Sequence, residues 1–167
     1  MKTFPMFLTM TDRRVVILGG GEQATLKCRL MLKTEARIEV FAPILDVELQ
    51  SLADAERITH RTGPITADAL RGAPLVFIGT GCTGMDAALH AIATDAGALV
   101  NVVDQPDLCD ITTPALVDRD PVVVADAFSQ SHLPILKGRN VRIGQLDVDA
   151  RAGAGPDDRR FGYQLLV

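Results

Sequence analysis

Hydrophobic positions in this chain gather in short runs separated by stretches of helix-forming composition. RVVIL at 14–18, RIEVF at 37–41, RITHR at 57–61, LVFIG at 75–79 and LVNVV at 99–103 read as strands. Most of these are nearly continuous apolar runs, the pattern of strands covered on both faces. Between them, residues 22–33, 46–55 and 85–95 carry the Ala, Leu, Glu and Lys content of helices, and 67–71 reads as a short turn or helix. Strands alternating with helices predict an α/β fold with a parallel sheet and right-handed crossovers. Ligands of such sheets bind at the carboxyl ends of the strands.

Three loops at that edge carry candidate chemistry. After the first strand the chain reads GGGEQA, in which Gly19, Gly21 and Ala24 fit the G-x-G-x-x-A pattern. The first glycine turns the chain, the second admits a pyrophosphate and the third small residue lets helix pack on strand. The helix from Glu22 would then aim its first N–H groups at the phosphates. In its strand-turn-helix setting the motif predicts a dinucleotide site in a Rossmann-type doubly wound sheet, against the alternative of a purely structural glycine turn.

The second strand ends in Val40, Phe41, Ala42, Pro43 and Ile44, with neither an acid for ribose hydroxyls nor an Arg for a 2′-phosphate. Asp46 is close but is expected to open the next helix, so this position leaves NAD and NADP undecided. The fourth strand runs into Gly79, Thr80, Gly81, Cys82, Thr83 and Gly84. Its glycines allow close approach of backbone and its hydroxyls can bond ribose or phosphate; the alternative is a plain strand-to-helix turn.

Asp104 closes NVVD at the end of the fifth strand. A carboxylate there can act as a general base or hold a cationic group, and it can equally cap a turn before Gln-Pro-Asp. Beyond it the rhythm changes, with Pro106, Pro114, Pro121 and Pro134 and two β-rich pieces at 112–117 and 122–125 that read as strands outside the main sheet. From Lys137 apolar periodicity fades, and RAGAGPDDRR at 151–160 reads as an exposed or disordered segment. The expected division is a nucleotide-binding domain at 1–111 followed by strands and a divergent tail at 112–167.

Composition narrows the classes. In 167 residues with 47% hydrophobic content there is material for one domain or one with a small appendage. A net charge of −4 and 4% aromatic residues argue against a nucleic-acid surface. Cys28, Cys82 and Cys109 are odd in number and widely spaced, so neither a disulfide framework nor a zinc site is expected, and a reducing cytoplasm fits best. Cys109, five residues beyond Asp104, reads as a small buried hydrophobe. His60, His90 and His132 have no metal-ligand spacing. The start, MKTFPMFLTM, lacks the order of a signal peptide, and no apolar run reaches the roughly 20 residues of a membrane span.

With GGGEQA, NVVD and DLCDITTPALVDRDP (107–121) in view, the chain resembles the precorrin-2 dehydrogenase family, which includes the amino-terminal module of siroheme synthase. The resemblance runs from FPMFLTMTDRRVVILGGGEQA to about Ala125. It implies an NAD-binding Rossmann domain followed by a dimerisation region. The implied reaction is oxidation of the tetrapyrrole precorrin-2 to sirohydrochlorin, and some members also insert ferrous iron. By position it implies that Asp104 removes a proton, and that Glu22, Gln23, Pro43 and Ile44 line NAD beside Gly19, Gly20, Gly21 and Thr80. A cytoplasmic homodimer is the expected form.

The chain also departs from the family pattern. Glu35 stands where the family usually has Gly before the second strand. The loop after the fourth strand lacks the family's Asp after Thr80 and carries Gly81. Asp120 replaces a usual Ser, and ADAFSQSHLPILKGRNVRIGQ replaces a Ser-Gly-Gly-x-Ser-Pro loop, so the resemblance fades near Asp126. Three functions follow for comparison: an NAD-dependent precorrin-2 dehydrogenase, a catalytically impaired nucleotide- or tetrapyrrole-binding module, and a dehydrogenase of another small substrate. Retention of Asp104 favours the first, with Arg119, Lys137, Arg139 and Arg142 as candidate partners for substrate carboxylates.

Overall fold

A computed structural model describes residue 4 and residues 6–113, 115–119 and 122–126, all within the first of two compact units, Met1–Phe128. Five strands, β1 (Arg14–Leu18), β2 (Arg37–Phe41), β3 (Thr59–Arg61), β4 (Leu75–Ile78) and β5 (Leu99–Val102), form one parallel sheet in the order β3-β2-β1-β4-β5. Helices α1 (Glu22–Met31), α2 (Val47–Asp54), α3 (Ala67–Leu70) and α4 (Thr83–Asp95) make the crossovers. The order reverses between β1 and β4, which opens a crevice at their carboxyl ends. This is the expected Rossmann-type sheet.

Alternation along the strands divides the core into two layers. Val16, Leu18, Val76, Ile78, Val100 and Val102 pack beneath Leu70 of α3 and Leu89 and Ala93 of α4. Val15, Ile17, Val40, Leu75 and Phe77 face the other way, against Ala24 and Cys28 of α1 and Leu49 of α2. Ile17, Leu18 and Phe77 are essentially inaccessible, and full burial of such a side chain contributes about 1.5–3 kcal/mol. Both faces of the sheet are therefore covered.

The elements differ from expectation mainly at their ends. The third strand is three residues long because Arg57 donates to the carbonyl of Leu52 and Glu56 takes a left-handed φ of 55°, which extends the preceding turn. Helix α1 stops at Met31, whose carbonyl accepts the Thr34 hydroxyl at 2.7 Å. Glu35 is absent from the positive-φ positions, so the backbone needs no glycine there; its carboxylate accepts from Thr11 at 2.6 Å. A short 3-10 turn, Pro106–Leu108, follows β5 and has no counterpart in the apolar pattern.

The two β-rich pieces form an antiparallel hairpin, β6 (Ala115–Arg119) with β7 (Val122–Asp126), outside the main sheet. The anticipated segment at 151–160 and the candidate cations Lys137, Arg139 and Arg142 lie outside the described residues, as does the side chain of Arg119.

Candidate nucleotide site and the Asp104 turn

The three consecutive glycines after β1 are glycines for different reasons. A Cβ on Gly19, whose φ is +131°, would stand 2.3 Å from the carbonyl oxygen of Gly79. One on Gly20 would stand 2.0 Å from the carbonyl oxygen of Ile44. Both are demanded by neighbouring backbone. Around Gly21 nothing lies within 4 Å, and its φ of −104° suits any residue. The protein itself gives no reason for Gly21 to lack a side chain.

Gly21 is also the N-cap of α1, and no side chain caps that helix end. The first N–H groups of a helix have no intrahelical acceptors and carry the positive end of its dipole. An open glycine beside uncapped donors fits a pyrophosphate. These groups border a cleft of about 500 Å³, lined also by Pro43, Ile44, Asp46 and Thr80. Pro43 and Ile44 are exposed on its rim, and Glu22 is exposed in the first turn of α1.

Asp46 caps α2, as its position suggested. Its carboxylate accepts the Leu49 N–H at 2.8 Å and the hydroxyl of Thr25. The Leu49 N–H, followed by the Thr25 hydroxyl, holds the Asp46 carboxyl below its ordinary range. The cleft wall at the end of β2 is therefore anionic even though no acid directly follows the strand.

Thr80 lines the cleft, but its polar groups are engaged within the protein. Its hydroxyl donates to Asp86 Oδ1 at 2.6 Å, its N–H donates to the same oxygen at 3.1 Å, and its Oγ1 accepts the Cys82 N–H at 3.2 Å. Asp86 is 2% exposed and was missed in the sequence. The available signal was that Asp86 is the one acid in the first turn of α4.

Asp104 is exposed at the end of β5, held in a left-handed conformation with φ 59°. Gln23 Nε2 donates to its Oδ2 at 3.0 Å, which brings together two residues 81 positions apart. The turn is braced from below by Cys109. Its Sγ lies 3.2 Å from both the N–H and the carbonyl oxygen of Val102 and 3.3 Å from the carbonyl oxygen of Gln105. Cys109, read from the sequence as a small buried hydrophobe, is only half-buried; it packs on the apolar core but acts as a polar brace, because its thiol reaches backbone on both sides of Asp104.

A second residue missed in the sequence is Lys27, one helical turn beyond Gln23. Its ammonium donates to Thr113 Oγ1 at 3.0 Å and lies 5.5 Å from the Phe77 ring centroid. Burial lowers its pKa, against the opposing pull of Cys109 and Asp104. Its place in the i, i+4 register with Gln23 was a readable signal. Among the described residues no group of three or more His, Cys, Asp or Glu is arranged to hold a metal ion, and no helix is long and apolar enough to cross a membrane.

Comparison with known proteins places this geometry. Residues 6–115 match the family model described as "Putative NAD(P)-binding". The chain belongs to this NAD(P)-binding family. The match covers the glycine turn, the cleft and the Asp104 turn together. Among curated relatives, the siroheme synthase of Ectopseudomonas mendocina is 42% identical over 136 residues, 81% of this chain and 29% of that protein. The siroheme synthase of Nitrosomonas europaea is 39% identical over 126 residues, 75% of this chain and 26% of that protein.

A third, the siroheme synthase of Chromobacterium violaceum, is 37% identical in an alignment that takes in 99% of this chain and 39% of that protein. That likeness continues past Asp126, where the motif resemblance fades. The chain thus spans between 26% and 39% of the length of these relatives. A solved structure, "SirC, precorrin-2 dehydrogenase", shares the fold with a TM-score of 0.63 at 21% identity, covering 75% of this chain and 61% of that one.

Proposed function

We propose that the protein oxidises precorrin-2 to sirohydrochlorin with NAD as the hydride acceptor. In this reaction the macrocycle loses one hydride and one proton, and the products are sirohydrochlorin, NADH and a proton. The observation that carries the reading is the placement of Asp104. An exposed carboxylate stands at the carboxyl edge of β5, hydrogen-bonded to Gln23, two residues from the open Gly21. The siroheme synthase relatives and the family-like NVVD supply the substrate class.

The bound nicotinamide supplies the hydride-accepting centre. The chain's own residues supply the rest. Gly21 and the first N–H groups of α1 receive the pyrophosphate, with Glu22, Pro43, Ile44 and Thr80 bordering the dinucleotide. Asp104 takes the substrate proton as general base, and Gln23 holds its carboxylate in place. Lys27, beneath Asp104, offers a cation for a carboxylate of the substrate.

NAD is favoured over NADP by the same cleft. Among the described residues its lining includes the Asp46 carboxylate and no Lys or Arg, so a 2′-phosphate there would meet an anion without a compensating cation. The active form is proposed to be a cytoplasmic homodimer. We take the nucleotide domain to end at 111, although the β6–β7 hairpin belongs to the same compact unit; the hairpin pairs outside the main sheet, and a two-stranded ribbon of that kind is marginal alone and pairs readily.

Anaerobic mixing of the protein with precorrin-2 and either cofactor tests the proposal. NADH and sirohydrochlorin should appear in equal amounts, and faster than NADPH does. Tight NAD binding with no sirohydrochlorin would leave the impaired binding module as the better account. Sedimentation at micromolar concentration reads the dimer, and a monomer with full activity would remove that part.

A further inference from the structure

One buried carboxylate joins the cleft to the Asp104 turn. Asp86 uses both oxygens: Oδ1 accepts the N–H and hydroxyl of Thr80, at 3.1 and 2.6 Å, and Oδ2 accepts Nε2 of Gln105 at 3.2 Å. Thr80 lines the cleft and Gln105 directly follows Asp104. Burying a carboxylate is costly unless it is hydrogen-bonded, and here three donors and the first turn of α4 offset that cost.

Both segments that Asp86 joins need holding. The loop from Gly79 to Gly84 contains three glycines, one of them, Gly81, at φ 78°. Such a loop loses much conformational freedom on folding. Asp104 occupies a left-handed conformation that Asp tolerates better than most residues but that is still uncommon outside glycine, so contacts around it help to hold it. The last sheet bond before it is from the Val103 N–H to the carbonyl of Ile78. Beyond it the Gln105 N–H reaches back to the Val102 carbonyl only at 3.4 Å, and the next backbone bonds to β5 come from Asp110 and Ile111, so side chains must help to fix the Asp104 turn.

We propose that Asp86 is a positioning residue: through Gln105 it fixes the turn that presents Asp104, and through Thr80 it ties that turn to the cofactor wall. The inference rests on the dehydrogenase reading only for the reaction it serves. Asp86 need not touch the substrate. It sets the distance and angle between the group that takes the proton and the cofactor that takes the hydride, and small misplacements of such groups are costly.

Three variants separate the arms. Gln105→Ala cuts the link to Asp104, Asp86→Ala cuts both links, and Asp86→Asn restores the shape because the Gln105 amide can turn to present its oxygen. Gln105→Ala should lower kcat about tenfold to a hundredfold with NAD affinity within about twofold of the parent. Asp86→Ala should lower kcat at least as much and weaken NAD binding, and Asp86→Asn should recover most of the loss. Because Asp86 and Gln105 act in series, the double variant Asp86→Ala/Gln105→Ala should be no slower than Asp86→Ala alone.

A readout independent of turnover is the side-chain NH2 pair of Gln105 in NMR spectra, identified by its loss in Gln105→Ala. NAD should shift this pair in the parent protein and leave it unmoved in Asp86→Ala. Additive losses in the double variant, or Gln105 signals indifferent to Asp86→Ala, would overturn the proposal. Should Asp86→Ala fail to fold, the kcat of Gln105→Ala decides, and a parental value overturns it. A parent that binds NAD and shifts the Gln105 pair, yet oxidises no precorrin-2, would sink the dehydrogenase reading and leave the linkage standing.

Discussion

Gln23 Nε2 donates to Asp104 Oδ2 at 3.0 Å, so a residue in the first turn of the helix beyond the glycine turn also holds the carboxylate at the far side of the switch point. The bond crosses from α1 to the end of β5, and β4 lies between β1 and β5 in the sheet. Cofactor turn and proposed base are therefore parts of one construction. A change at either is expected to be felt at the other.

The glycine turn yields a sharp contrast. Gly21→Val should fold, losing no more than the roughly 1 kcal/mol of a poorer N-cap, since its φ is ordinary and no atom stands within 4 Å of the added Cβ, yet it should lose NAD binding because the side chain occupies the pyrophosphate position. Gly20→Ala should instead lower stability by about 1–3 kcal/mol, the usual range for overpacking, because its Cβ meets the Ile44 carbonyl. Thermal unfolding beside calorimetry with NAD checks both. A folded Gly21→Val with unchanged affinity would remove the nucleotide assignment.

That contrast also marks what the sequence made legible. The apolar runs located the central strands most clearly, because burial on both faces leaves a period-free hydrophobic signature, as in Val15, Val16, Ile17 and Leu18, whereas the edge strand β3 is polar and largely exposed. The glycine pattern located the turn but could not say which glycine serves a ligand, since Gly19 and Gly20 answer to backbone from Gly79 and Ile44, distant in sequence. Asp86 and Lys27 carried only local signals, a first-turn acid on α4 and an i, i+4 place beside Gln23, and these do not name their distant partners. Thr80 is a local partner of Asp86, but Gln105 and Thr113 are brought into reach only when the strands are laid side by side.

Asp46 gives a pH-dependent prediction. Its folded-state pKa is depressed by the Leu49 N–H and the Thr25 hydroxyl, so its contribution is present above the unfolded carboxylate value and is lost as pH falls through the folded one. Asp46→Ala should cost about 1 kcal/mol at neutral pH, the usual value of an N-cap. The difference from the parent should shrink as pH drops below about 4. Urea unfolding at several pH values measures it, and a difference that grows in acid would contradict the assignment.

The cysteines should separate by reactivity. Burial, reinforced by Glu48 and Asp46, pushes the Cys28 thiol up to about 11, and Cys28 is inaccessible in the core, whereas Cys82 is exposed. Thiolate is the reactive form. Iodoacetamide at mildly alkaline pH followed by mass spectrometry should show Cys82 labelled in the folded protein and Cys28 labelled only on unfolding. Equal rates at the two would mean that the α1 face of the sheet is open.

The most direct test of the dehydrogenase account is the single-turnover rate of NADH formation from precorrin-2 in the parent and in Asp104→Asn. Asn tolerates the left-handed backbone at φ 59° and can still accept from Gln23, so fold and NAD affinity should be unchanged. Asn cannot take up the substrate proton, and the rate should fall by about 100-fold or more. NADH formed at the parental rate by Asp104→Asn would contradict the account.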